Sequence, residues 1–194
     1  EGRSWERPVS AELISADGSE PGFQIDAGMR LQGGSSRNPD IPKHSLSLRF
    51  RRDYGAGKLQ YPLFRDAPFG DTAVEEFDFL QLRAGFNFAW THRHYYQARH
   101  AQYNRDQWVN DLYLAMGQPG THGRWVHLYL NGLYWGLYHV HARPAGDFMA
   151  SYFGGESDDY DALSSGPPQS GDTTAWNTMM SSARGNITSP SQYP

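Results

Sequence analysis

The run Gly33-Gly34-Ser35-Ser36-Arg37, followed by Lys43, holds the residue types that cradle a phosphate. Glycines let backbone N–H groups approach an anion, hydroxyls add donors, and Arg and Lys add charge. It is not a Walker loop, because the Gly-Lys-Ser/Thr run is missing and no helix is expected directly after it. An ordinary Gly/Ser hairpin loop has the same composition, so both readings stand on the residues alone. His92, His94 and His100 could ligate zinc, although no carboxylate follows until Asp106. Surface or stacking histidines are the plainer reading. Asp158, Asp159 and Asp161 could take a divalent cation, but they lack the EF-hand spacing and its glutamate. A solvated turn is expected there, and no metal ligand is assigned. Arg83 and Asp106 sit at the edges of apolar elements, where an internal ion pair or a substrate clamp is the chemistry on offer. Tyr134, Trp135 and Tyr138 could stack on a sugar, but core packing is the expectation. No Ser-His-Asp order and no His-Glu-x-x-His pattern points to acyl transfer or a zinc protease.

These residues need elements to hold them. Pro8 to Ser15 is short and apolar, and Asp17-Gly18 marks a turn. Phe23 to Gln32 alternates with period two, as does His44 to Arg52, where Leu46, Leu48 and Phe50 are expected inward and Ser45, Ser47, Arg49 and Arg51 outward. The segment 54–71, frequent in Gly, Pro and Asp, reads as loop. Phe77 to Arg83 reads as another strand, and 86–104 as an ordered aromatic loop. Asp106 to Met116 carries apolar residues at 108, 109, 112, 113 and 116, which fits a helix ended by Gly117. Trp125 to Leu130 and Leu133 to Val140 flank Asn131-Gly132, the strongest short-range hairpin marker. Helices are expected over Ala145 to Tyr152 and Thr173 to Ala183. Asp159 to Leu163 is expected to be a strand, 164–172 a linker, and the tail to Pro194 unstructured. The fold class is α+β, a sheet-rich N-terminal region with helices appearing late.

Composition bounds the rest. The 194 residues are enough for one domain with a real core. The 6 Trp, 12 Tyr and 10 Phe supply that core, so disorder is excluded for most of the chain. A net charge of −4 leaves no general nucleic-acid footprint. No run approaches the roughly 18 apolar residues of a membrane span. Without Cys there is no disulfide and no cysteine zinc site. Only Lys43 and Lys58 are lysines among 17 basic residues, which makes a Lys beside the Gly/Ser loop conspicuous. The chain begins Glu1-Gly2 and reads as a piece of something longer, with any export signal upstream.

Six stretches, in order, resemble the CotH family of spore-coat protein H kinases: GMRLQGGSSR (28–37), PKHSLSLRFRRDYGAGKLQYPLF (42–64), FDFLQLRAGFN (77–87), RDQW (105–108), LYLNGLYWGLY (128–138) and YFGGESDDYDAL (152–163). The resemblance is nearest to versions embedded in large exported bacterial proteins. It implies the N-terminal lobe of an atypical protein-kinase-like fold that uses ATP and Mg²⁺ to phosphorylate Ser in a coat or envelope protein. On that basis Gly33, Gly34, Ser35, Ser36 and Arg37 cover the nucleotide phosphates and Lys43 contacts them, with Arg83, Asn87 and Asp106 in support. The implied organisation is a leading strand and linker over 1–20, the nucleotide lobe over 21–163, and a linker with the start of a helical part over 164–194. An exported or envelope-associated bacterial protein is expected, of unassigned oligomeric state. The family's metal-binding and catalytic aspartates would lie beyond Pro194, so these residues alone are expected to be inactive. Two positions depart from the family pattern: Ala142-Arg143-Pro144 where Glu-Arg-Pro is common, and Asn87-Phe88 where Asn-Asp is frequent. An acidic residue lost at 142 would leave the lysine without its positioning carboxylate. The rival reading is therefore a non-catalytic module that binds carbohydrate or protein.

Overall fold

The computed structural model describes residues 5–164 and 167–185. The chain divides into two compact units, Glu1–Arg143 and Pro144–Pro194. In the first unit the strands are β1 (Arg7–Leu13), β2 (Phe23–Gln32), β3 (Ser45–Arg49), β4 (Leu59–Gln60), β5 (Glu76–Phe77), β6 (Phe79–Arg83), β7 (Gly123–Leu130) and β8 (Leu133–Ala142). Six of them form one antiparallel sheet in the order β1-β2-β3-β6-β8-β7, and β4 pairs with β5 separately. Helices α1 (Tyr95–Arg99) and α2 (Arg105–Ala115) lie in this unit; α3 (Gly146–Phe153) and α4 (Thr174–Arg184) lie in the second. The class is α+β, as expected. No helix among the described residues is long and apolar enough to cross a membrane.

The period-two patterns set the sheet's register. Two apolar rows cross it, Leu31–Leu46–Leu82–Val140 and Met29–Leu48–Leu80–Ala142. At the β7–β8 turn Asn131 and Gly132 adopt φ of 50° and 79°, the left-handed pair that this hairpin type demands. A bulge between Leu128 and Tyr129 then shifts the β7–β8 ladder.

The segment expected to be loop is mostly irregular in backbone, yet it supplies the core. Leu59, Tyr61, Leu63 and Phe64 are all buried, against Phe77 from the expected strand. Phe64 meets Phe77 edge-on at 5.5 Å, and Phe23 of β2 meets Tyr61 at 5.1 Å. Glu20 ties this layer to the sheet by accepting from Arg124 of β7 at 2.6 Å and from the Tyr61 hydroxyl at 2.8 Å. The Arg124 hydrogen bond holds the Glu20 carboxyl below its ordinary value.

Three local expectations are corrected. Ser45 and Ser47 do not face solvent; Ser47 is 0% exposed. β3 is flanked by β2 and β6, and its second face is covered as well, so the small hydroxyls are buried and paired. Ser45 Oγ accepts from the Ala84 N–H at 2.9 Å, and the Ser47 hydroxyl donates to the Arg30 carbonyl at 3.4 Å. Within 86–104, residues Tyr95–Arg99 are helical and Phe86–Phe88 form a 3₁₀ turn. Asp159 to Leu163 is not a strand: Ser157–Asp159 is a 3₁₀ turn, and Ala162 makes one isolated bridge to Ser170. The tail expected to be unstructured lies, from 186 on, outside the described residues.

Phe64→Ala is expected to cost about 3–5 kcal/mol in urea unfolding, because the ring is buried on all sides. The Glu20 pairing gives a signed pH prediction. Its folded pKa lies below the unfolded one, so its contribution is present above the ordinary carboxylate value and is lost as pH falls. Wild type should therefore be more stable than Glu20→Gln at neutral pH, with the gap closing as the pH falls through and below the ordinary carboxylate range. A gap that stays constant with pH would refute the pairing.

Candidate nucleotide site

The end of the sheet where β3 begins, β6 ends and β8 starts is held by a buried tyrosine. Tyr138 is 0% exposed, and its hydroxyl donates to the His44 carbonyl at 2.8 Å. The His44 ring donates in turn from Nδ1 to the Ser36 carbonyl at 2.9 Å. A chain from core to loop thus fixes the residue between them. Lys43 Nζ donates to the Leu137 carbonyl and lies over the Tyr138 ring at 4.4 Å and the Tyr103 ring at 5.9 Å. Burial pulls the amine's pKa down. Among the described residues no carboxylate pairs with it, in contrast to Lys58, which has Glu76 and Asp78. Lys43 also lines a crevice with Ile41, Ala84, Phe86, Ala89, Thr91 and His92 that has about 10 Å³ of free space, roughly one water molecule.

The Gly/Ser loop is compact. Residues Ser35–Arg37 make a 3₁₀ turn in which the Arg37 and Asn38 N–H groups bond the Gly34 and Ser35 carbonyls. Gly33 has φ of 121°, and the Ser36 hydroxyl stands 2.0 Å from where a Cβ would be, so a side chain there is doubly excluded. Gly33, Gly34 and Ser35 are exposed, whereas Arg37 Nε is buried without a hydrogen-bond partner.

Beside this end stands α2. Asp106 in its first turn pairs with Arg83 of β6, each side chain one-third exposed, so these two residues form the ion pair that their placement suggested. Asn110 accepts from the Thr121 N–H at 3.0 Å and donates to the Asp106 carbonyl at 2.9 Å. The helix buries no residue; Trp108, Leu112, Tyr113 and Met116, which formed its apolar stripe in the sequence, are all exposed. Asn87 is exposed on the 3₁₀ turn after Gly85. Gly85 has φ of 74°, and a Cβ on it would come 3.1 Å from the Tyr103 ring, which packs near both Trp90 and Trp125.

Residues 29–192 match the family model described as CotH kinase protein. The chain belongs to the CotH kinase family. No curated protein and no solved structure matches it.

Its two departures from the CotH pattern now have positions. Ala142 pairs with Leu80 in the β6–β8 register, five residues along β8 from Leu137. That is about 16 Å of extended strand, so a carboxylate at 142 would not reach Lys43, and its loss is not what leaves the amine unpaired. Phe88 lies beneath the Arg105 guanidinium at 5.2 Å, a cation–π contact where an acidic residue would have made an ion pair.

The plainer reading of the three histidines fits their contacts: His92 packs on Phe86 at 4.9 Å and His100 on Tyr96 at 4.3 Å. His92 Nδ1 accepts the His94 N–H at 3.0 Å, and His100 Nδ1 donates to the Tyr96 carbonyl at 2.8 Å. Among the described residues, no three of His, Cys, Asp and Glu converge as metal ligands. Asp159 and Asp161 each hold a backbone N–H, of Glu156 and Asp172, while Asp158 is exposed. Tyr138 is core as expected, but Tyr134 and Trp135 are 54% and 47% exposed, because the hairpin extends its tip beyond the core. The sequence reading passed over His139 and His141, both buried on β8. The available signal was their i, i+2 spacing inside a strand, the rule applied instead to His92 and His94, where the backbone is not extended. Burial pushes the His139 imidazole down to about 4.

Tyr138→Phe is expected to lose about 1–3 kcal/mol in urea unfolding, since it strands the buried His44 carbonyl. An unchanged midpoint would show that the loop is held without that bond.

Proposed function

We propose that this CotH-family chain binds the phosphates of ATP at the Lys43 end of the sheet, as the nucleotide lobe of a Ser kinase acting on a coat or envelope protein of an exported bacterial assembly. The observation that carries this is Lys43, a partly buried ammonium with two aromatic rings and a carbonyl around it and no described carboxylate to neutralise it. Such a group lacks an anion, and a phosphate is an anion of the right chemistry. Arg37, with its Nε buried and unpartnered, supports the same reading from the loop side. The crevice is too small for a nucleobase, so phosphates at its mouth, and not a base within it, suit this geometry.

Phosphoryl transfer needs positioning and charge neutralisation. Lys43 and the Gly33–Arg37 loop would supply both for the nucleotide. Mg²⁺ would come with the nucleotide, since the described residues offer no converging carboxylates to hold it, and no step is assigned through it. No described residue is assigned as the base for the acceptor Ser. On this reading the 194 residues bind ATP without transferring its phosphate.

Thermal unfolding with and without Mg²⁺–ATP tests the reading. Nucleotide at about 100 times its Kd adds roughly 2.7 kcal/mol, a shift of about 5–10 °C for a chain of this size. Lys43→Ala should remove the shift. A shift that survives in Lys43→Ala would place the nucleotide elsewhere, and no shift in wild type would favour the second reading. That reading, a carbohydrate- or protein-binding module, draws on Tyr129, Leu133, Tyr134 and Trp135 exposed together on the hairpin. It expects Tyr134→Ala with Trp135→Ala to abolish glycan-array or partner binding while leaving the fold intact.

A further inference from the structure

We propose that His139 and His141 of β8 form a binding site for a borderline divalent cation of the zinc class, faced by Gln107 of α2. This inference is independent of the nucleotide reading. The two residues stand at i and i+2 on one strand, so both imidazoles project from the same face of the sheet. They are 6% and 4% exposed. The Nδ1–H of His141 donates to the Ala142 carbonyl at 2.6 Å; a carbonyl only accepts, so the lone pair of the neutral ring is left on Nε2. That Nε2 is buried with no hydrogen-bond partner, and so is Nε2 of His139. An Nδ1–H tied to the backbone behind a bare Nε2 is how metal-ligating imidazoles are oriented.

The spacing suits a shared ion. The two ring centroids are 5.6 Å apart. Two imidazoles bound to one tetrahedral zinc at about 2.0–2.1 Å place their centroids about 5 Å apart. Gln107 Oε1 is a third buried atom without a partner. A Cβ on Gly123 would fall 2.3 Å from both Gln107 Oε1 and His139 Nε2, so these two atoms face each other across the glycine. The Gln107 amide nitrogen is already committed to Asp111 at 2.6 Å, which leaves its oxygen on the side of His139.

The charges around the pair also favour a cation. Arg83 is the cross-strand partner of His139, but Asp106 neutralises it. Asp111 of α2 is the further carboxylate acting on His139. Beside His139 two carboxylates therefore outnumber one guanidinium. A bound ion would tie β8 to α2, a helix that buries no residue fully.

The test is Zn²⁺ titration of the full 194-residue chain, with Co²⁺ absorption as the geometric readout. One ion per chain is expected. His139→Gln or His141→Gln should each weaken binding at least about tenfold. The triple change His92→Gln, His94→Gln, His100→Gln should leave it unaltered. A readout free of variants guards against misfolding: in long-range ¹H–¹⁵N spectra of the wild type, Zn²⁺ should move the Nε2 resonances of both histidines while Nδ1 of His141 stays protonated. No stoichiometric uptake, uptake that disappears with the triple change, or Nε2 resonances unmoved at saturation would each overturn the proposal, the last leaving a buried water as the partner of these nitrogens.

Discussion

The hydroxyl of Tyr138 reaching the His44 carbonyl is the contact on which the loop end of the first unit depends. It is made by a side chain with no solvent exposure, so the bond has no water to compete with it. The same ring carries Lys43 on its face, and the same residue pair passes the constraint outward through His44 to Ser36. One buried phenol therefore sets the height of the lysine, the exit of β2 and the conformation of the glycine loop together. Ordering a lysine side chain costs about 1.5–2 kcal/mol of rotamer freedom. Here that cost is met by core packing before any ligand arrives.

How much of this was legible in the sequence depended on the range of the interaction. Phe23–Gln32 is a strand at the bounds its alternation suggests, and Asn131-Gly132 turns the hairpin that its φ requirements demand, because both signals are local. Ser47 shows the limit. Alternation separates two faces of β3, but whether the second face is covered depends on elements far along the chain. The same holds for 54–71, where Gly and Pro advertise a loop while Leu63 and Phe64 fill the core. Tyr134, Trp135 and Tyr138 look alike in sequence; only the length by which β8 outruns the core decides which is buried. Lys43 stood out by type and by family resemblance, yet nothing local foretold that Tyr103 would approach it from the turn before α2.

The first unit keeps its polar and apolar surfaces unusually distributed. Its sheet buries hydroxyls and imidazoles on one face, where Ser45, Ser47, His139 and His141 lie, and carries the two leucine-rich rows on the other. Meanwhile α2 and the hairpin tip hold tryptophan and tyrosine in the open. A face rich in hydrogen-bonding groups imposes a single geometry, since each group must find its partner, whereas an apolar face tolerates sliding. Specific positioning is thus concentrated on the side where Arg83, Asp106 and Gln107 meet the strands.

The bulge between Leu128 and Tyr129 has an effect beyond the hairpin itself. β7 is the last strand of the sheet, eight residues long, with one edge unpaired by any strand among the described residues. A long regular edge of this kind is a template on which a foreign strand can polymerise. The register steps from Leu128–Gly136 to Tyr129–Tyr134, so the extra residue is Trp135 of β8, and the stronger local twist that a bulge imposes falls at the hairpin end of β7. A twisted edge is a poorer template for strand addition than a flat one, and the twist here lies beside the exposed Tyr129 and Tyr134.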